Sequence, residues 1–304
     1  MKDRVIQSII DLVLLPLVGI SVCLILWCAA SALTYDSKAK RSILPNPADT
    51  VRASAKYLVA PFSHDEEQGV DGLGLLALQS LGLVMKGYLA ALVVAVPIGF
   101  MLGGSKLFTK CFDPIFQILR PVSPLAWYPL AGVIMVSVKK TYYAGADATT
   151  WQCILTIGIC SLWPTVMNTA VGVRAIPQDY LNVAKVLQLG RFKTFTKIQL
   201  PAALPYMFTG FRLSLGIAWL VIVACEMLSG KAGIGFFVND SYNADDYGSM
   251  IMSILIIGVV GFLLDRLMSV VEKNIDLVLN FPTTVRHIVS FVRPEKRSQA
   301  HAVS

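Results

Sequence analysis

Residues 182–201 read NVAKVLQLGRFKTFTKIQLP, a basic, helix-compatible segment wedged between two long apolar stretches at about 150–172 and 205–228. A bilayer core about 30 Å thick needs roughly 20 apolar residues per helical crossing. The flanks are of that length, so the segment between them reads as a water-exposed connection between two membrane helices. Working outward, further runs of spanning or near-spanning length lie at about 12–33, 79–103, 114–137 and 249–267. Hydrophobic residues make up 55% of the chain and mean hydropathy is +0.65, above the ~45–50% apolar content of soluble domains. In lipid each backbone must satisfy its own hydrogen bonds, which makes these runs helices. A β-barrel would show shorter, alternating segments. The expected fold class is an all-α membrane protein with six transmembrane helices.

Cytoplasmic loops carry the excess of Lys and Arg, which sets the orientation. An even number of spans places both termini on one side, with the loops near 104–113 and 173–204. That side gathers Lys2, Arg4, Lys106, Lys110, Arg174, Lys185, Arg191, Lys193, Lys197 and the basic tail from Arg266 to Arg297. The opposite side holds Asp65, Glu66, Glu67, Asp71, Asp147, Asp240, Asp245 and Asp246. Lys38, Lys40, Arg41, Arg52 and Lys56 in the long first outer loop run against this trend. The net charge of +7 is therefore a topology signal, and no nucleic-acid partner is expected. Residues 1–280 form one transmembrane unit, with the 174–203 connection inside it and a basic cytoplasmic tail at 281–304.

Ile198-Gln199-Leu200-Pro201 closes the opening stretch, and here the sequence resembles the permease subunits of binding-protein-dependent ABC importers. Their signature loop reads Glu-Ala-Ala, three residues, Gly, nine residues, Ile, one residue, Leu-Pro. Aligned on Pro201, Asn182 and Val183 stand where the family has Glu and Ala, Ala184 falls on the second Ala, and Gln188 falls on the Gly. The nitrate, bicarbonate and cyanate branch departs similarly. It also resembles this chain at Arg120-Pro121-Val122-Ser123-Pro124-Leu125-Ala126-Trp127, at Asn168-Thr169-Ala170-Val171-Gly172-Val173 and at Gly233-Ile234-Gly235.

The resemblance implies a type I importer permease bundle in a bacterial-type inner membrane, acting by alternating access. It implies a second permease copy, two ATP-binding cassette subunits and an extracytoplasmic substrate-binding protein as partners. ATP and Mg would sit on the cassette subunits, with no cofactor in this chain. Contact with the ATPase is carried over to Gln188, Leu189, Gly190 and Arg191, with Ala184 as a packing residue. From the residues themselves, positions three or four apart share a helix face. Ala184, Val186, Leu187, Gly190, Phe195 and Ile198 can pack while Lys185, Arg191, Lys193 and Lys197 stay wet, suiting a helix that docks in a groove. The implied cargo is a small inorganic anion, nitrate first, with nitrite, bicarbonate and cyanate close; aliphatic sulfonate or taurine is the neighbouring alternative.

No glycine-rich phosphate loop is present, since neither Gly103-Gly104-Ser105-Lys106 nor Gly230-Lys231-Ala232 has the spacing it needs. Energy must come from another chain or from an ion gradient. A gradient-driven carrier needs ionisable groups deep in the membrane, and the sequence offers Lys86, Arg120, Arg212 and Glu226 without an Asp/Glu/His relay. That weighs against the secondary carrier, the rival of another class. Arg120 and Arg212 could hold a planar oxyanion through paired donors, or else snorkel or pair with a helix end. Glu226 could close the outer mouth or hold the Gly233-Ile234-Gly235 loop, and Trp127, Trp163 and Trp219 could line the path or fill the core.

Lys2 and Arg4 precede an apolar run ending in the small-residue triplet Ala30-Ser31-Ala32, like a signal-peptide site. The run is longer than a usual signal core, which favours a retained helix over cleavage to five spans. Asn46 and Pro47 predict the start of a short surface helix to about Leu58, a docking or gating element or a simple cover. Pro121, Pro124 and Pro129 predict a broken or kinked third span. The six cysteines and three histidines form no metal-ligand pattern. The tail beyond Asn280 has helical apolar spacing suited to the membrane surface.

Overall fold

The structure, a computed structural model, describes residues 14–36, 41–65, 70–142 and 148–278. Lys2, Arg4, Lys38, Lys40, Glu66, Glu67, Asp147 and the 281–304 tail lie outside the described residues. The described residues are all-α apart from two antiparallel ladders of two residues a strand, Tyr35–Asp36 with Arg41–Ser42 and His64–Asp65 with Val70–Asp71. In order the helices are α1 (Leu15–Leu33), α2 (Pro47–Ala53), α3 (Ala55–Val59), α4 (Leu73–Gly104), α5 (Lys106–Leu119), α6 (Pro124–Tyr142), α7 (Ala148–Arg174), α8 (Gln178–Val186), α9 (Arg191–Thr194), α10 (Leu200–Ser229), α11 (Ile234–Asn243) and α12 (Tyr247–Val278). A π-turn, Phe195–Gln199, joins α9 to α10.

Among the described residues, five helices are long and apolar enough to cross a membrane, and a sixth crossing is available if the consecutive helices α5 and α6 are one broken span. The most apolar window of α1 is only 6% buried and that of α12 not at all. Long apolar stretches that their own chain leaves largely open need lipid or another subunit around them.

The expected third span, 114–137, is divided. Helix α5 ends at Leu119 and α6 begins at Pro124, with residues 120–123 non-helical between them. Prolines alone do not break helices here, for Pro97, Pro114, Pro129, Pro164 and Pro205 all sit inside one. What differs is two prolines three apart: Pro121 removes a donor just after the Arg120 cap, and Pro124 starts α6, where no donor is needed. Helix α5 is consequently a separate, strongly amphipathic element.

Contacts divide the chain into two units, Met1–Lys86, Pro124–Thr156 and Trp219–Gly261 forming one, and Gly87–Ser123, Ile157–Ala218 and Phe262–Ser304 the other. In the first, Asn46 caps α2 by accepting from the Asp49 N–H at 2.8 Å, with Pro47 in the first turn as its sequence predicts. Ser42 Oγ donates to the Ser31 carbonyl at 2.6 Å, and Trp27 donates to the Pro45 carbonyl at 2.9 Å, tying α1 to the segment before α2. The Tyr57 and Phe237 rings pack edge to face at 4.8 Å.

In the second unit, α4, α7 and α10 close on small residues. Ala95, Leu102, Val166 and Ala170 form one buried cluster and Val173, Ala203 and Met207 another. A side chain on Gly99 would meet Thr169 Cβ at 2.5 Å, and one on Gly172 the Tyr206 Cβ at 2.9 Å, so glycine here sets the helix separation. Gly104, Gly216 and Gly258 face open space instead. Cys153, Cys160 and Cys225 are the small core residues their sequence suggests, whereas Cys23, Cys28 and Cys111 are exposed.

Candidate functional site: the 182–201 turn and the charges of the long helices

Helix α7 ends at Arg174, whose guanidinium donates to the Leu102 carbonyl at 3.1 Å. Pro177 then opens α8, with Asp179 in its first turn, where the helix dipole favours a carboxylate. The 182–201 stretch is not one continuous helix. Helix α8 stops at Val186, and the Leu187, Gln188 and Leu189 N–H groups fold back onto the Val183, Lys185 and Ala184 carbonyls at 2.9, 3.0 and 2.9 Å. The reversal needs a left-handed residue, and Gln188 supplies it at φ 48°. This is the position where the aligned signature carries Gly, the residue that adopts a left-handed backbone without strain. Gly190 is extended, with φ −61° and ψ 158°, and leads into α9.

The faces of the turn differ from the sequence expectation. Ala184 is buried and Phe195 packs on Phe100 at 4.8 Å, both as anticipated. Val186 and Leu187, expected to pack, are instead 81% and 63% exposed, because the chain reverses immediately after them. Phe192 is 77% exposed. These apolar side chains stand at the tip among exposed Lys185, Arg191 and Lys193. Nothing lies within 4 Å of where a Gly190 side chain would begin. An apolar tip ringed by cations has the character of a knob that a partner's pocket would cover.

A left-handed Gln is strained by roughly 1–2 kcal/mol relative to Gly. Gln188→Gly is therefore expected to stabilise the local fold by about 1 kcal/mol. Hydrogen exchange of the Leu189 and Gly190 amides checks it: slower exchange supports the strain, and faster exchange contradicts it.

Arg212 is not free to meet a cargo anion. Its Nε and one terminal nitrogen donate to both Asp265 oxygens at 2.6 and 2.8 Å, and another terminal nitrogen lies 3.6 Å from Glu272. Thr209 Oγ1 donates to Glu272 at 2.7 Å. Asp265 and Glu272 lie seven apart on α12, hence on one face. Their spacing was the available signal, but the expected last span stopped at 267. The pair is partly exposed, 36% and 49% by side chain, which limits it to about 1 kcal/mol. A double-mutant cycle of Arg212→Ala and Asp265→Ala on thermal stability is expected to show that coupling; additive losses would show that the two act independently.

Arg120 is exposed at the α5 C-terminus, at the corner of the bend. Trp127 is half-buried, with its Nε1 lacking a hydrogen-bond partner among the described residues. Trp219 is buried and donates to the Ile257 carbonyl at 3.0 Å, with Gly261 against its ring. Trp163 is also buried, its ring 5.9 Å from that of Phe116. Glu226 is fully buried and accepts from the Gly235 N–H at 2.8 Å. It therefore holds the Gly233-Ile234-Gly235 loop, one of its two expected roles. The loop opens α11, a helix not anticipated from sequence. Beside α1, a cavity of about 860 Å³ is lined by Tyr35, Asn46, Asp49, Asp245 and Tyr247 among others.

Membrane-length helices with an apolar, cation-ringed turn in one connection define an integral-membrane protein whose exposed tip suits a partner's pocket. Residues 95–277 match the family described as binding-protein-dependent transport system inner membrane component, and this chain belongs to that family, the permeases of ABC transporters. It is 38% identical over 265 residues to the nitrate import permease protein NrtB of Synechocystis, covering 86% of this chain and 88% of the relative. It is 41% identical over 267 residues to the bicarbonate transport system permease protein CmpB of the same organism, covering 86% and 89%. A putative ABC transporter permease of Methanocaldococcus jannaschii is 32% identical over 228 residues, covering 74% and 79%.

Proposed function

We propose that this permease forms the membrane path of an ATP-driven importer for a small inorganic anion, nitrate first, with bicarbonate, nitrite and cyanate as near neighbours. The observation that carries the reading is identity of 38–41% across 86% of the chain with permeases named for nitrate and for bicarbonate. Two copies would pair, each meeting an ATP-binding cassette subunit that holds ATP and Mg and performs the hydrolysis. Both termini would be cytoplasmic, as would the turn around Gln188. Residues Leu187 to Arg191 and Phe192 would seat in the cassette subunit, with Ala184 and Phe195 anchoring the turn to the long helices.

Closure of the cassette subunits on ATP would push the turn, and α7 and α10, which flank it in sequence, would carry that displacement into the membrane. The path would open outward to receive anion from the binding protein and return after hydrolysis. Competition decides the cargo: labelled nitrate uptake by the reconstituted complex should be blocked by excess unlabelled nitrate and spared by taurine. Uptake of taurine with no nitrate uptake would move the protein to the sulfonate reading.

A further inference from the structure

Helix α4 has 32 residues and carries Lys86 as its fourteenth. At 1.5 Å per residue this lies within about 4 Å of the helix midpoint. Leu76, Leu83, Val84, Tyr88, Ala91 and Ala95 mark the buried stripe of this helix. Lys86 lies on the other side, on an exposed stripe with Gly82, Leu89, Ala90 and Val93. It forms no ion pair or hydrogen bond among the described residues. Arg212, by contrast, is neutralised by Asp265 and Glu272.

Such a cation cannot face lipid. Within the apolar run at 79–103 this lysine is about 10 Å from the nearer end, more than its stem can span to reach a polar interface, and charges in spanning helices face a partner helix or a water-filled cavity. Its neighbours one turn away on the same face are Gly82 and Ala90, and nothing lies within 4 Å of where a Gly82 side chain would start. The ammonium therefore stands over low ground, with room for a small ion beside it. A compact, strongly hydrated cation suits a small, hydrated anion that must be released again.

We infer that Lys86 lines the translocation path and is the midplane contact for the transported inorganic anion. The inference rests on the anion reading above, and deepens it by assigning a residue. With Cys23, Cys28 and Cys111, the exposed cysteines, replaced by Ser, Lys86→Cys is placed in the full complex in proteoliposomes. The thiolate attacks a methanethiosulfonate reagent, forming a mixed disulfide and releasing methanesulfinate. Aminoethyl and sulfonatoethyl forms of the reagent then place a positive or a negative charge at the same site.

The unmodified variant is expected to lose nitrate uptake about tenfold or more with normal membrane levels and ATPase assembly. The cationic reagent should restore uptake, the anionic one should not, and nitrate should slow both modifications. Lys86→Arg should keep most activity, a rescue that a packing role would not give. Absence of reaction in both the ATP-free and the ATP-bound state would place the residue in lipid or in a dry interface and overturn the inference. So would reaction without effect on uptake, or equal recovery with either reagent. Should the unaltered complex carry neither nitrate nor bicarbonate, the proposed function fails; the Lys86 site fails separately, through lost reactivity or indifference to reagent charge.

Discussion

Gly190→Asp is expected to abolish ATP-driven uptake, by roughly tenfold or more, while the permease accumulates in the membrane at its normal level. The structure makes this a clean separation. Gly190 is in extended backbone that any residue adopts, and a side chain there meets nothing within 4 Å. It also immediately precedes α9, a position where Asp is among the favoured capping residues, so folding should be unharmed. What changes is the tip itself, where a carboxylate appears beside exposed Leu187, Phe192 and Arg191. Disrupting a hot-spot contact of a docked interface costs about 2 kcal/mol or more, which is over tenfold in affinity. Co-purification of the cassette subunits and vesicle uptake read it together. Normal assembly with normal uptake would mean that the turn does not touch the motor.

Glu226→Ala is expected to have the largest effect on stability, about 3 kcal/mol, through the start of α11. Here two backbone positions are fitted around one carboxylate, and the residue between them is held by Ser80. Glu226 accepts from Gly235 N–H, Ser80 Oγ accepts from Ile234 N–H at 3.0 Å, and a side chain on Gly233 would collide with the Glu226 carboxylate. Gly235 in turn sits against the Val223 carbonyl, which a side chain there would meet at 2.5 Å. Removing the carboxylate leaves a buried N–H without its acceptor and a void where the side chain was. Glu226→Gln keeps an acceptor and should lose far less, while Gly233→Ala should resemble Glu226→Ala. Reactivity of the buried Cys153, Cys160 and Cys225 with a thiol dye on heating measures unfolding directly. Equal losses for Glu226→Gln and Glu226→Ala would remove the hydrogen bond from the explanation.

The long helices were legible because bilayer thickness imposes a length of apolar sequence that nothing else in the chain imitates. The Asn46-Pro47 helix start was legible for a local reason, a side chain that caps its own helix. The break before α6 could be anticipated from proline, but not that α5 would become a separate amphipathic helix, since that depends on where two prolines fall relative to a cap. The reversal at Gln188 carries no signal in residue type: Gln has no left-handed preference, and only the Gly position of the resembling signature pointed there. That single backbone angle divides an apparently uniform basic helix and turns Val186 and Leu187 outward. The partners of Arg212 were hidden for another reason. Asp265 and Glu272 lie some fifty residues or more away, and only the packing of α10 against α12 brings them to it. Lys86 was visible as an intramembrane cation, and the structure adds that its own chain leaves it uncovered.

The account is tested most directly by labelled nitrate uptake into proteoliposomes holding the permease, its cassette subunits and the binding protein, with ATP and with a non-hydrolysable analogue inside. Uptake that requires hydrolysable ATP and disappears with Gly190→Asp is the predicted result. Uptake that proceeds equally with the analogue, or without the cassette subunits, would contradict the claim that this chain is a path driven through its cytoplasmic turn.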